Sequence, residues 1–227
     1  MRILAIDTAL EACSAAVLDT EQSGGAVTES LPMARGHAEA LIPLIARVMD
    51  RARITFSDID RIAVTTGPGS FTGLRVGIAA ARGIALATGK PAVGLSTLAA
   101  YAAPLIAEDD SLPVVAVIDA RHDHVYMQAF GPGGRTLVTA RLVPLREALR
   151  FAATGAPRLI GTGAKLLAAV WPPAERPPSA VDPLSAPDID WVARLGVAAA
   201  ETGSPPKPLY LRAPDAQPQN AAQLARR

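Results

Sequence analysis

LAIDT (residues 4–8) returns later in the chain as AVIDA (116–120), and this echo decides the fold. At the same offset Asp7 falls on Asp119, and the apolar run CSAAVL (13–18) falls on VYMQAF (125–130). Glycines follow in both copies, Gly24-Gly25 in the first and Gly131 with Gly133-Gly134 in the second. A strand, an acid and a second strand repeated over this distance imply two related lobes built from duplicated α/β units. The reading places a first lobe at residues 1–103, a second, proline-rich and degenerate lobe at 104–212, and a loose tail at 213–227. A chain of 227 residues holds two such lobes of roughly a hundred residues each.

Periodicity fills in the elements. Strands are expected over 2–7, 13–19, 26–30, 59–67 and 91–95. A helix is expected over 37–53, with Leu41, Leu44, Ile45, Val48, Met49 and Ala52 on one face. Pro43 should kink it or mark its first turn. Ser96 or Thr97 can N-cap the next helix. The segment PPAERPPSAVDPLSAPD (172–188) reads as an irregular surface excursion, 188–201 as a late helix, and LYLR (209–212) as a last strand or a docking segment.

Composition narrows the function. The chain is 50% hydrophobic but only 4% aromatic, so aliphatic side chains must build the core. Net charge is +1 and no dense basic run occurs, which argues against gripping nucleic acid alone. Cys13 is the single cysteine; it reads as a small core residue and rules out an intramolecular disulfide or a cysteine-rich zinc site. No signal-peptide pattern or membrane span is read, so a cytoplasmic protein is expected.

The longest chemical candidate is GPGSFTGLRVGIAAARGIALATGK (67–90). Gly67, Gly69 and Gly73 resemble a phosphate cradle, but the spacing is one residue too long for the dinucleotide fingerprint and no phosphate-reaching lysine follows. Two readings stand: a candidate anion or nucleotide loop with Asp7, Ser70 and Thr72, or a turn that only permits close packing, with Ser70 or Thr72 capping the helix. The helix beyond is apolar nearly all round and should be buried nearly all round, against its own sheet or against a partner. Gly73, Gly77, Ala81 and Ala85 form a small-residue ridge suited to close approach of another helix. Asp7 and Asp119 read as turn caps, because no second acid or histidine completes a catalytic set. His37 reads as a helix-end or surface residue, and His122 and His124 as structural or solvated. No catalytic or metal residue is assigned.

Five runs together resemble the TsaB family of tRNA threonylcarbamoyladenosine biosynthesis proteins, formerly grouped as glycoprotease-like. They are LAIDT with EACSAAV (4–17), TGPGSFTGLRVGIAAARGIAL (66–86), VGLSTL (93–98), VIDAR with VY (117–126) and LYLR (209–212). The resemblance implies a two-lobe α/β fold of the actin, sugar-kinase and Hsp70-ATPase type, a duplicated ribonuclease-H-like unit. It implies a non-catalytic subunit that supports the catalytic relative TsaD, with the ATPase TsaE as third partner. TsaD carries an H-x-x-x-H metal pair where this chain has Thr97 and Tyr101. No cofactor of its own is implied; ATP and metal would sit on the partner subunits, and tRNA would be met only through the complex. First-lobe pairing, as a heterodimer or as a homodimer in isolation, would use Leu41, Ile45, Leu74, Arg75, Ile78 and Arg82. The alternative from another class is an ATP-dependent phosphotransferase working through Asp7 and the 67–73 loop.

Overall fold

The computed structural model describes residues 1–152, 155–201 and 203–212. Its first sheet is centred on β1 (Arg2–Asp7), antiparallel to β2 (Ala12–Asp19), which pairs with β3 (Val27–Pro32). After α1 (His37–Ala52), strand β4 (Arg61–Gly67) runs parallel to β1. Helix α2 (Phe71–Thr88) crosses to β5 (Ala92–Ser96), and α3 (Thr97–Glu108) leaves the sheet. The strand order is β3-β2-β1-β4-β5.

The second half repeats this path. It runs β6 (Val114–Asp119), β7 (His124–Phe130), β8 (Thr136–Pro144), α4 (Leu145–Ala152), β9 (Arg158–Ile160), α5 (Ala164–Ala169), β10 (Ala180–Asp182) and α6 (Ile189–Ala198). The order β8-β7-β6-β9-β10 matches the first sheet strand for strand. The LAIDT echo is therefore the echo of two central strands, with Asp7 facing Ser14 and Asp119 facing Val125 at the same end of each.

Both central strands are covered on two faces, which is why they read as continuous apolar runs rather than alternating ones. Along β1, Leu4 and Ile6 pack with Leu41, Leu44, Ile45 and Leu74 from α1 and α2, while Ala5 faces Ile189, Val192 and Ala193 of α6. Along β6, Val115 and Val117 face α4 and α5, while Val114, Ala116 and Ile118 face Leu98, Tyr101 and Ala102 of α3.

This arrangement corrects the lobe boundaries. Helix α3 follows the first sheet in sequence but covers the second, and α6 does the reverse. Residues 104–212 are thus not one lobe, and a border at 103 cuts α3. The repeat assigned each helix to the sheet it follows, whereas the apolar face of a helix goes to the sheet that can bury it. The proline-rich segment is not wholly irregular either, since β10 within it pairs parallel with β9. Residues 209–212 form no strand and dock on the first lobe. The tail 213–227 lies outside the described residues. Among the described residues no helix is long and apolar enough to cross a membrane.

Candidate functional site

The glycine loop is held against the turn that follows β1. Ser70 takes an extended conformation and its hydroxyl accepts from the Gly73 amide at 3.3 Å, so Ser70 is the N-cap; Thr72 is exposed. The Ser70 amide donates to the Ala9 carbonyl at 2.7 Å, and the Thr8 hydroxyl donates to the Gly73 carbonyl at 2.7 Å. A methyl group at Gly69 or Gly73 would collide with the carbonyl oxygens of Ala9 and Thr8. Gly67, at φ +120°, adopts a conformation that favours glycine, with the Leu209 carbonyl oxygen 2.9 Å from where its Cβ would stand. Backbone oxygens of this chain thus fill the helix start where a phosphate would have to sit. The loop residues do not fit a nucleotide phosphate; the close-packing alternative describes them.

Asp7 is fully buried beside this turn. Its Oδ1 accepts from the Ala9 amide at 3.1 Å and from the Thr65 hydroxyl, while Oδ2 has no partner among the described residues. Burial pushes its pKa up, against the pull of Thr65, Ala9 and His37. Asp119 makes the matching turn in the second half, accepting from the Arg121 amide at 2.8 Å. Both acids cap turns. Neighbouring Cys13 is buried and its thiol is pushed up to about 11, chiefly by desolvation, which fits a core residue. His37 starts α1 as expected but is buried, its Nε2 3.1 Å from the Leu10 carbonyl, rather than at the surface.

Other candidate ligands do not converge. Among the described residues no group of three or more His, Cys, Asp or Glu side chains could hold a metal. His124 Nδ1 lies 2.7 Å from the His122 carbonyl in a tight turn whose residues Arg121, His122 and Asp123 all have positive φ. Thr97 and Tyr101 are buried, and the Tyr101 hydroxyl donates to the Leu184 carbonyl at 3.1 Å.

Helix α2 divides differently from the sequence expectation. The ridge of Gly73, Gly77 and Ala81 faces inward, where Gly77 leaves room for Thr8 and for Val64 and Ile6; it serves packing on its own sheet, not approach of another helix. Leu41, Ile45, Leu74 and Ile78 are at most 3% exposed, all within the first lobe's core. They support a partner face without forming it. Arg75 and Arg82 are exposed, and the helix is not buried all round: Phe71 is 53% and Leu86 88% accessible.

Residues 203–212 complete that outer surface as a strap. The Leu209 amide donates to the Thr66 carbonyl at 2.7 Å, and Tyr210 stacks on Phe71 with ring centres 5.5 Å apart. Arg75 lies 3.7 Å from the centre of the Phe71 ring and donates to the Tyr210 hydroxyl at 3.1 Å. The sequence reading missed Phe71, Gly83, Leu86 and Tyr210. Two large apolar residues on the same helix as the two arginines were the signal for the first and third. Nothing local tied Tyr210 to a helix so far back in the chain.

Fold and site together define a two-lobed α/β protein with a self-filled loop and an uncovered first-lobe helix. A crystal structure from Pseudomonas aeruginosa, described as an uncharacterized protein with similarity to peptidase YEAZ, superposes with a TM-score of 0.79 at 32% identity, covering 93% of this chain and 99% of that one. The inorganic polyphosphate/ATP-glucomannokinase of an Arthrobacter strain shares the fold alone, at TM-score 0.50 and 13% identity over 87% and 98% of the two chains. TsaB of Escherichia coli K12, a tRNA threonylcarbamoyladenosine biosynthesis protein, is 40% identical over 126 residues. That match covers 56% of this chain and 53% of the relative, about half its length. The family model described as TsaD, tRNA N6-adenosine threonylcarbamoyltransferase, matches residues 14–165. The chain belongs to this family, on its TsaB/YeaZ branch.

Proposed function

We propose that this chain acts in tRNA threonylcarbamoyladenosine biosynthesis as a non-catalytic subunit that binds and supports the transferase TsaD, with TsaE as a further partner. The observation that carries the reading is the filled helix start: the Thr8–Ala9 turn occupies the place at α2 that a phosphate would need. With its loop spent on internal packing, the first lobe offers the outer face of α2 instead, where Phe71, Arg75, Arg82 and Leu86 are exposed. Large uncovered apolar side chains beside charged ones mark association surfaces. ATP, metal and tRNA are then met by the assembled complex.

Reconstitution tests this reading. Purified chain, TsaD and TsaE are assayed for threonylcarbamoyl transfer to tRNA, singly and together. Transfer should require this chain and be absent from it alone. Transfer by TsaD and TsaE without it, or magnesium-dependent nucleotide turnover by this chain that Asp7→Ala abolishes, would reverse the assignment and favour a phosphotransferase.

A further inference from the structure

We propose that the outer face of α2 is built for a partner helix carrying two carboxylates two turns apart, and that this charge pattern selects a different chain over a second copy of this one. The inference rests on the pairing reading above.

Arg75 and Arg82 are the only charged residues of α2, and both are exposed. Seven positions separate them, about 10.5 Å along the axis, so they stand on one side of the helix. Arg75 is fixed by Phe71 and Tyr210, and apart from those contacts it makes no hydrogen bond or ion pair among the described residues. Arg82 makes none at all among them.

The surface around these cations fits a helix. Ala79 and Gly83 lie between and beside them, both exposed and both short. A methyl group at Gly83 would meet nothing within 4 Å, so this chain's own packing does not call for glycine there. Glycine in an exposed helix interior weakens the helix relative to alanine. Its compensation belongs outside the monomer, where a bare backbone admits another helix closely. Two hollows flank the ridge. One, of about 390 Å³, is lined by Arg75, Ala79, Arg82 and Pro208. The other, of about 590 Å³, is lined by Gly83, Leu86, Lys90 and Pro205 among others.

The charge of the face is one-sided. Lys90 adds a third cation, and Glu201, the acid lining the larger hollow, is already engaged by Arg61 at 2.7 Å. An apolar helix with carboxylates at i and i+7 complements this pattern. A second copy docking by the same face about a two-fold axis would set arginines against arginines, and like charges across an interface disfavour the pairing.

The test measures affinity of the full chain for full-length TsaD, and its self-association, at low and high salt. Arg82→Glu is the primary variant because its side chain holds nothing in this chain; Arg82→Gln removes charge alone, and Arg75→Glu/Arg82→Glu extends the series. Arg82→Glu should weaken pairing with TsaD about tenfold or more and the double variant further, with Gln intermediate and the melting temperature of Arg82→Glu unchanged. Pairing of the wild type should weaken with salt, and self-association of Arg82→Glu should not fall. Equal affinity of wild type and Arg82→Glu for TsaD, or equal loss of self-association, overturns the inference while leaving the pairing reading intact. A wild-type chain that does not bind TsaD overturns both.

Discussion

Arg61 and Arg158 are the same residue of the repeat, and each closes the end of the helix that crosses from the other half. Arg61 opens β4 opposite Ile3, and Arg158 opens β9 opposite Val114. The Arg61 guanidinium donates to the carbonyls of Gly196, Val197 and Ala199 at 2.9, 3.2 and 2.9 Å, at the C-terminal end of α6. Arg158 donates to the carbonyl of Asp109, which ends α3, and to Leu112 at 3.4 Å. Each also meets an acid, Glu201 at 2.7 Å and Glu108 at 3.9 Å. A buried cation at a helix C-terminus satisfies carbonyls the helix leaves open and opposes its dipole.

Arg61→Met should therefore cost about 3 kcal/mol, because it strands buried carbonyl oxygens. Arg158→Met should cost less, having fewer and longer contacts. Urea unfolding of both variants checks the ranking.

Core and face separate cleanly by charge insertion. Ile78→Glu and Leu41→Glu bury an unpaired carboxylate in the first-lobe core and should unfold the chain in thermal melts. Leu86→Glu, at an 88% exposed position, should leave the melt unchanged and act only on association in gel filtration.

The glycines of α2 have opposite roles. Gly73→Ala drives a methyl group into the Thr8 carbonyl and should destabilise by about 3 kcal/mol. Gly83→Ala, with open space around it, should stabilise the isolated chain by about 0.5–1 kcal/mol. Denaturant midpoints read both.

Asp7 gives a pH signature. Burial raises its folded pKa above the unfolded value of about 4. The folded state keeps the proton where the unfolded chain has released it, so this group's contribution to stability falls as pH rises from about 4 through the folded value. Asp7→Asn cannot titrate and should lose less stability over that window. Unfolding free energies of the two proteins against pH should diverge upward from about pH 4; parallel curves would contradict the buried carboxyl.

Much of this was legible from local pattern. The strands, the Ser70 and Ser96 caps, the turn role of both aspartates and the core position of Cys13 follow from residue type and spacing alone. What escaped depends on contacts far apart in sequence. Arg61 and Arg158 each head an apolar run, RIAV and RLIG, where a strand would not ordinarily bury a cation, but their acceptors lie on distant segments. The outward face of α2 was unreadable because its inner and outer sides are both small and apolar. Only the position of Thr8 tells which ridge is packed.

The exchange of α3 and α6 also changes what a break in the chain would do. Cleavage in the loop at 109–113 would leave an N-terminal fragment missing the helix that covers one face of its sheet, and a C-terminal fragment missing its counterpart. Each piece would carry the cover the other lacks. Neither should fold alone, yet mixed together they should reassemble as complementary fragments, so the two halves mature as a single cooperative unit.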